Sequence, residues 1–506
     1  MLEGPFDPNS TLFHFTHLQQ LNLAYNKFSA SQLSSRIGDL VSLTHLNLSN
    51  SGFGGQIPST ISHLSKLLSL DLSHNYELRL DESTWRKLIG NTTNFKELFL
   101  DWVDMSSIKE TSMSLLMNFS SSLLFLSLPY TQLHGKFPSG MLALPYLEEL
   151  SLLGNQELKG ELPKSNWSTP LRILDLSLTA FSGRIPDSIG HLKSLNQLSL
   201  RNCQFDGMVP NWFKDNLLHT WKSMYYIDLS FNKLQGDLPI PPYGIGVFSV
   251  SNNNFTGHIS STFCNASSLE ILILSHNHLS GTIPQCLLGA SPCLKILDLQ
   301  VNNFHGSIPT NFPQGNELQT IKLNHNQLEG VLPKSLANCI MLEVLDVAEN
   351  NIEDVFPNWL ETLPALQVLS LRANKFHGTI TTNFTANHPF PKLRIFDVSN
   401  NKFGGPLPTS LFENFEGMKD LSNSTHHPPA LSYMNSSSSR LAYNDSVVIT
   451  MKGQSMELVR ILTTFTTIDL SNNMFDGEIP HVIGELSSLK GLNLSHNKIS
   501  GIIPQT

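Results

Sequence analysis

One spacing constrains this chain more than any other feature: L-x-x-L-x-L-x-x-N, as in Leu18, Leu21, Leu23 and Asn26, then Leu67, Leu70, Leu72 and Asn75, and onward to Leu489, Leu492, Leu494 and Asn497. The last position of the motif falls at 26, 51, 75, 103, 131, 155, 179, 203, 232, 253, 277, 302, 326, 350, 374, 401, 473 and 497, which defines eighteen coils, most of them as long as the step from 326 to 350. A unit this short cannot bury its own leucines, so only a stack of coils makes a core. The leucines of L-x-L are predicted to point inward from a short strand, and the Asn amide to bond exposed backbone groups in the turn between coils. Thirteen of the eighteen positions are Asn; the others are Ser51, Val103, Thr131, Thr179 and Cys203. Strands about 4.8 Å apart would give the stack a spine of roughly 85 Å.

Composition removes several classes of function. Apolar residues make up 40% and charged residues 14%, which suits a long core under a largely neutral surface. The net charge of −9 comes from 41 acidic against 32 basic residues without a Lys/Arg-rich run, so a nucleic-acid partner is set aside. With 19 histidines, many near an ordinary pKa of about 6.5, a mildly acidic compartment would move the net charge toward zero or positive. No Ser/His/Asp signature, H-E-x-x-H, Walker loop or kinase glycine loop is present, and Gly244-Ile-Gly246 is too short to cradle phosphate. His276-x-His278 lacks further Cys or carboxylate ligands at useful spacing. The chain therefore reads as a binding protein, not an enzyme, with no cofactor and no metal.

A second signature follows the Asn: Gly55-x-Ile57-Pro58, Gly183-x-Ile185-Pro186, Gly281-x-Ile283-Pro284, Gly306-x-Ile308-Pro309, Gly330-x-Leu332-Pro333, Gly477-x-Ile479-Pro480 and Gly501-x-Ile503-Pro504. The combined pattern resembles the plant extracellular leucine-rich repeat. That resemblance implies an α/β solenoid: a right-handed superhelix with a continuous parallel β-sheet on its concave face, and a short helical or extended return in each coil.

One step breaks the rhythm, since positions 401 and 473 are separated by one repeat plus two more repeats' worth of chain. The predicted organisation is a solenoid over 1–416, an insertion over 417–463 and two further repeats over 464–506. The insertion begins Ser-, Asn- and His-rich and then alternates from Asp445 to Gln454 as a strand would. It resembles the island of plant receptor-like proteins that carry no kinase, similar to the tomato leaf-mould resistance receptors, with Tyr443, Thr450, Lys452 and Gly453 matching the island pattern. Those receptors also have a signal peptide, caps, more repeats after the island and one membrane helix. Met1 to Pro5 has no leader character and no stretch reaches the roughly 18 apolar residues of a span, so the expectation is part of a larger receptor, tied to a membrane only through a missing segment.

The resemblance implies the ligand-binding ectodomain of a receptor at the extracellular face of the plasma membrane. It would recognise a pathogen- or wall-derived peptide, protein or glycan and signal through adaptor and co-receptor receptor-like kinases. A developmental peptide receptor has the same architecture. A soluble secreted inhibitor of microbial wall-degrading enzymes shares the repeat, but that family has fewer coils and no island.

Outward x positions of the strands are the default binding grid. Coils thirteen to sixteen offer the densest charge, Lys322, His325, Asp346, Glu349, Arg372 and Arg394, with Lys452 of the insertion nearby. Coil nine offers Tyr225 and Tyr226 beside Asp228 and Phe231, an aromatic surface suited to a protein partner. N-x-S/T sequons at Asn9, Asn47, Asn91, Asn118, Asn166, Asn254, Asn265, Asn383, Asn423, Asn435, Asn444 and Asn493 fit a glycosylated exterior. Cys264 and Cys286 are separated by close to one repeat, so neighbouring coils could bring them within bridging distance. Cys203 occupies an Asn position as a buried thiol; Cys293 and Cys339 carry no assignment.

Overall fold

Each L-x-L lies on a three-residue strand centred on its first position in the computed structural model, and each strand ends four residues before one of the eighteen positions above. The structure describes residues 1–28, 31–92, 94–165, 167–210, 221–380, 388–419, 433–434, 443–451 and 453–504. Two compact units emerge: Met1–Ile245 with Asn252–Asn254, and Gly246–Ser251 with Phe255–Thr506. In the first unit the strands run in parallel from Gln20–Asn22 through His45–Asn47, Ser69–Asp71, Glu97–Phe99, Phe125–Ser127, Glu149–Ser151 and Ile173–Asp175 to Gln197–Ser199 and Tyr226–Asp228. In the second they run from Val247–Ser249 through Ile271–Ile273, Ile296–Asp298, Thr320–Lys322, Val344–Asp346, Val368–Ser370 and Ile395–Asp397 to Thr467–Asp469 and Gly491–Asn493. Register is strict throughout, leucine opposite leucine or its replacement, because a one-residue slip would turn every inward side chain to the surface.

The Asn does more than cap a turn. Asn326 donates from Nδ2 to the carbonyls of Leu299 (3.0 Å), Leu323 (3.1 Å) and Asn324 (3.3 Å), and its Oδ1 accepts from the Phe304 N–H at 3.0 Å. Two coils are thus tied by one side chain. The residue just before it is always left-handed, for example His325 at φ 55° and Glu349 at φ 52°. That conformation costs roughly 1–2 kcal/mol for a non-glycine residue, and several buried hydrogen bonds at about 0.5–1.5 kcal/mol each offset it. Where Asn is absent the substitutes do part of the work: the Thr131 hydroxyl donates to Leu128 O at 2.9 Å, and the Cys203 thiol donates to Leu176 O at 3.1 Å with its pKa pushed up to about 11 by burial.

The residues leading into G-x-I-P form further, shorter parallel sheets where the repeat pattern predicts only a turn and return. Ala180–Arg184 pairs with Gln204–Met208 and that strand with Lys233–Asp237 in the first unit; Asn303–Ser307 pairs with Gln327–Gly330 and that strand with Asn351–Ile352 in the second. Gly306 has φ 75° and the Thr282 methyl lies 3.0 Å from where its Cβ would stand, so both backbone and space demand glycine. Proline then starts the return, as at Pro333 before the 3₁₀ turn Lys334–Asn338, its missing N–H and fixed φ suiting an N-terminus. Such 3₁₀ turns predominate; a longer α-helix, Glu82–Asn91, is capped by Asp81, which accepts from the Thr84 N–H at 2.7 Å.

Inside, stacked phenylalanines extend the leucine columns: Phe376 on Phe403 at 5.9 Å and Phe403 on Phe475 at 6.2 Å between ring centroids. Ile395–Asp397 pairs directly with Thr467–Asp469, so the long step leaves the strand order unbroken and the insertion is looped out of the stack. Cys264 and Cys286 are joined as a disulfide with Cα atoms 5.7 Å apart.

Candidate functional site

The looped-out insertion returns onto the outward face of its own strands. Register places Thr320, Val344, Val368 and Ile395 in one row across four consecutive strands. These are outward positions, yet Val344, Val368 and Ile395 are fully buried, packed with Met434, Val447, Ile449 and Ile461 of the insertion. Val447–Met451 and Gln454–Leu458 form an antiparallel hairpin, two strands where the sequence pattern pointed to one, turning at Gly453 with φ 77°. Tyr433 bridges Leu462 at the hairpin's base.

Polar contacts fix the register of this cover. The Thr320 hydroxyl donates to Asp445 Oδ1 at 2.8 Å, Lys322 Nζ to the Ser446 hydroxyl at 2.6 Å, and the Tyr443 hydroxyl to Asp298 Oδ2 at 3.4 Å. Burial dominates the electrostatics. It pushes Asp445 up to about 6 against the opposing Thr320 hydrogen bond and Lys322 charge, and it raises Asp346 against Lys322. Asp397 rises to about 7 through burial and then the nearby Asp469. His276 is lowered by burial, opposed by Asp298 and Glu457.

This geometry corrects part of the expected binding grid. Lys322 and Asp346 are 1% and 2% exposed, and Lys322 holds the insertion from beneath through Ser446, so neither is part of an open outward grid. His325, Glu349 and Arg372 do come together: Glu349 accepts from His325 at 2.8 Å and from Arg372 at 3.1 Å, and Arg372 also donates to Ser455 of the hairpin at 3.2 Å. Arg394 is half-buried, with its pKa lowered by burial. Lys452 lies outside the described residues. Tyr225 and Tyr226 are half-buried on the first unit; burial, then Asp228 and Asp175, raise the Tyr226 phenol pKa, and Arg201 sits over the exposed Phe231 ring at 5.3 Å.

Past the cover the face opens. A cavity of about 610 Å³ lies between the hairpin tip, at Thr450 and Gly453, and the last two strands, with Thr467, Lys490, Leu492 and His496 along its wall. Its walls mix hydroxyl, amide and cationic groups with one apolar side chain, a lining that suits recognition of a polar chain. Of the sequon residues, Asn9, Asn91, Asn118, Asn254 and Asn265 are exposed, and Asn47, Asn444 and Asn493 partly so; Asn166, Asn383, Asn423 and Asn435 lie outside the described residues. Among the described residues no cluster of three or more His, Cys, Asp or Glu could hold a metal, and no helix is long and apolar enough to cross a membrane.

The docking residues Val344, Val368 and Ile395 are not among the charged and aromatic candidates, because strand alternation marks their positions only as outward. Their signal was present: outward positions from Val247 to Ile395 carry a run of β-branched residues, Val247, Ile271, Ile296, Thr320, Val344, Val368 and Ile395. An apolar outward row needs a cover.

Comparison with known proteins agrees with this architecture. Leucine-rich-repeat models match residues 316–376 and also 42–64, 194–216, 268–289, 392–414, 464–486 and 488–506. Receptor like protein 22 of Arabidopsis thaliana is 35% identical, over 96% of this chain and 70% of its own length. The chain belongs to the plant receptor-like protein family. Receptor-like protein 54 of the same plant is 32% identical over 95% of the chain and 67% of its own length. Receptor-like protein 18 is 34% identical over 88% of the chain, which spans about half (48%) of that relative. Among solved structures, the Arabidopsis receptor kinase HAESA in complex with the peptide hormone IDA and the co-receptor SERK1 superposes with a TM-score of 0.73 at 24% identity, over 99% of this chain and 73% of that one. PEPR1-AtPEP1 superposes with a TM-score of 0.71 at 22% identity, over 99% and 68%. At these identities the structures show a shared fold, and this receptor-like protein is a leucine-rich-repeat solenoid.

Proposed function

We propose that this receptor-like protein is a ligand-binding ectodomain at the extracellular face of the plant plasma membrane, recognising a pathogen- or wall-derived molecule in defence and signalling through partner receptor kinases. The observation that carries the reading is the insertion folded over four strands, whose hairpin tip and last two strands border an open cavity. A cover that seals one stretch of face and leaves a rim beside an open one presents a composite surface, on which a ligand and a second protein can touch the same hairpin. The rim offers Lys490, His496 and the exposed Ser495 hydroxyl for hydrogen bonding, groups that suit a polar protein partner. Exposed sequons such as Asn265 fit a glycosylated exterior, and the Cys264–Cys286 bridge fits an oxidising one.

The test is a membrane-anchored fusion of the chain in leaf cells, challenged with fungal, oomycete and bacterial wall fractions while an oxidative burst and co-purified receptor kinases are followed. A fraction-dependent burst, lost when Lys490→Glu and Leu492→Asp are combined, is expected. Silence to every fraction together with no kinase recovered would overturn the reading.

A further inference from the structure

The first unit carries a second surface of different chemistry. Across its third to sixth strands the outward positions hold Asp71, Glu97, Asp101 and Glu149, and the segments 69–74, 97–102, 125–130 and 149–154 contain no Lys or Arg. Between the acids lie Phe99, Phe125 and Tyr130, half-buried, and Trp102, 37% exposed. Trp102 stacks on Tyr130 with centroids 4.1 Å apart and planes 15° apart, and Tyr76, 66% exposed, meets Trp102 edge-on at 5.3 Å. The stack is held in place from below: Gly154 at φ 79° lies so close under Tyr130 that a Cβ there would stand 2.3 Å from the ring. Positive charge is confined to the start of the strands, where Lys96 is exposed and Arg172 pairs with Glu148 at 3.7 Å.

Register sets the spacing of this chemistry. Glu97 pairs with Phe125 and Phe125 with Glu149, so the two carboxylates flank one aromatic ring. Two strand intervals of about 4.8 Å separate them, roughly 9.6 Å. A polyproline II chain repeats its side-chain direction every third residue at about 9.3 Å, whereas an extended strand turns residues i and i+3 to opposite faces. Aromatic side chains receive the intervening prolines or aliphatic groups, and carboxylates receive the cations. We infer that this face of the first unit binds a basic polyproline II segment of a protein partner, with Arg or Lys at i and i+3 over Glu97 and Glu149, an apolar residue between them over Phe125, and apolar residues flanking that triplet against the Trp102–Tyr130 stack.

The inference rests on the receptor reading for its biological setting alone, since peptide binding by the purified chain is measured without any signalling. The full 506-residue chain is titrated with a fluorescein-labelled (Arg-Pro-Leu)4 peptide, with (Glu-Pro-Leu)4, and with an isomer of the first whose arginines are adjacent. The periodic arginine peptide is expected to bind and to weaken as salt rises. Its affinity should drop at least tenfold in Glu97→Gln/Glu149→Gln and in Trp102→Ala, with circular dichroism melts showing each variant folded. Equal binding of the glutamate peptide, equal binding of the adjacent-arginine isomer, or unchanged affinity in the folded double variant would each overturn it.

Discussion

The two units build the same inward core from the same motif and differ in what their strands show outward. In the first, strands such as Gln20–Asn22, Ser69–Asp71 and Glu149–Ser151 alternate a buried leucine with accessible neighbours. In the second, Ile271–Ile273, Val344–Asp346, Val368–Ser370 and Ile395–Asp397 are buried at all three positions. A solenoid of this kind writes its fold on one side of each strand and its partner on the other. Where the outward side turns β-branched and apolar, part of the partner is the chain's own insertion.

Breaking the cover should be the largest effect. Val368→Asp puts a charge beneath the hairpin, with an expected cost of about 3–5 kcal/mol and faster backbone exchange in 443–463. The control in the first unit, Asn22→Asp, leaves the turn acceptor to the Ala24 N–H in place and should change stability by less than about 0.5 kcal/mol. Equal costs would end the distinction drawn between the two faces. Lys322→Met follows, at about 3 kcal/mol, because it removes a buried cation that donates to Ser446 and balances Asp346 and Asp445; urea unfolding reads it.

The ladder amides sharpen the comparison on the inward side. Asn350→Ala loses donations to Leu323, Val347 and Ala348 and the acceptor for the Leu328 N–H, and about 2–3 kcal/mol is expected from the orphaned groups. Thr131→Val, which loses hydroxyl bonds to Leu128 O and Asn155 Oδ1, should cost about 1 kcal/mol. Denaturant midpoints of the two variants compare them directly.

The smallest expected effect is with pH. Asp445 is raised in the folded protein, so the folded state holds its proton over a range where the unfolded chain has lost it. Its contribution is full below about pH 3.8 and is lost as pH rises through about 6. Asp298, Asp346, Lys322, Glu343 and Tyr443 face the same interior, and the raised Asp346 has the same sign. Docking of the insertion should therefore strengthen from pH 7.5 to pH 5, seen as slower proteolytic nicking within 443–463, and Asp445→Asn should flatten the change. A profile that steepens with pH instead would show that another group controls the seat.

Much of this was legible in the residues. L-x-L placed every strand of the long parallel sheet, Asn326 and its equivalents announced the inter-coil bonds, and the long step between 401 and 473 located the insertion. Lys322 and Asp346 show where that reading stopped. In a strand, alternation tells which side a residue faces but not what stands opposite, so two outward charges read as ligand contacts although both are buried, Lys322 beneath Asp445 and Ser446.

The sequence alone determined the coil count, the inward core and the site of interruption, because each depends on spacing within a single repeat or between neighbouring ones. Only tertiary structure decided that Val447 and Ile449 seat on Val344, Val368 and Ile395, that Arg372 reaches Ser455, and that a cavity opens between the hairpin tip and Leu492. Those contacts join segments of the chain many repeats apart, as Thr320 to Asp445 and Arg372 to Ser455 do, where no periodicity links the partners and only shape, burial and charge select them.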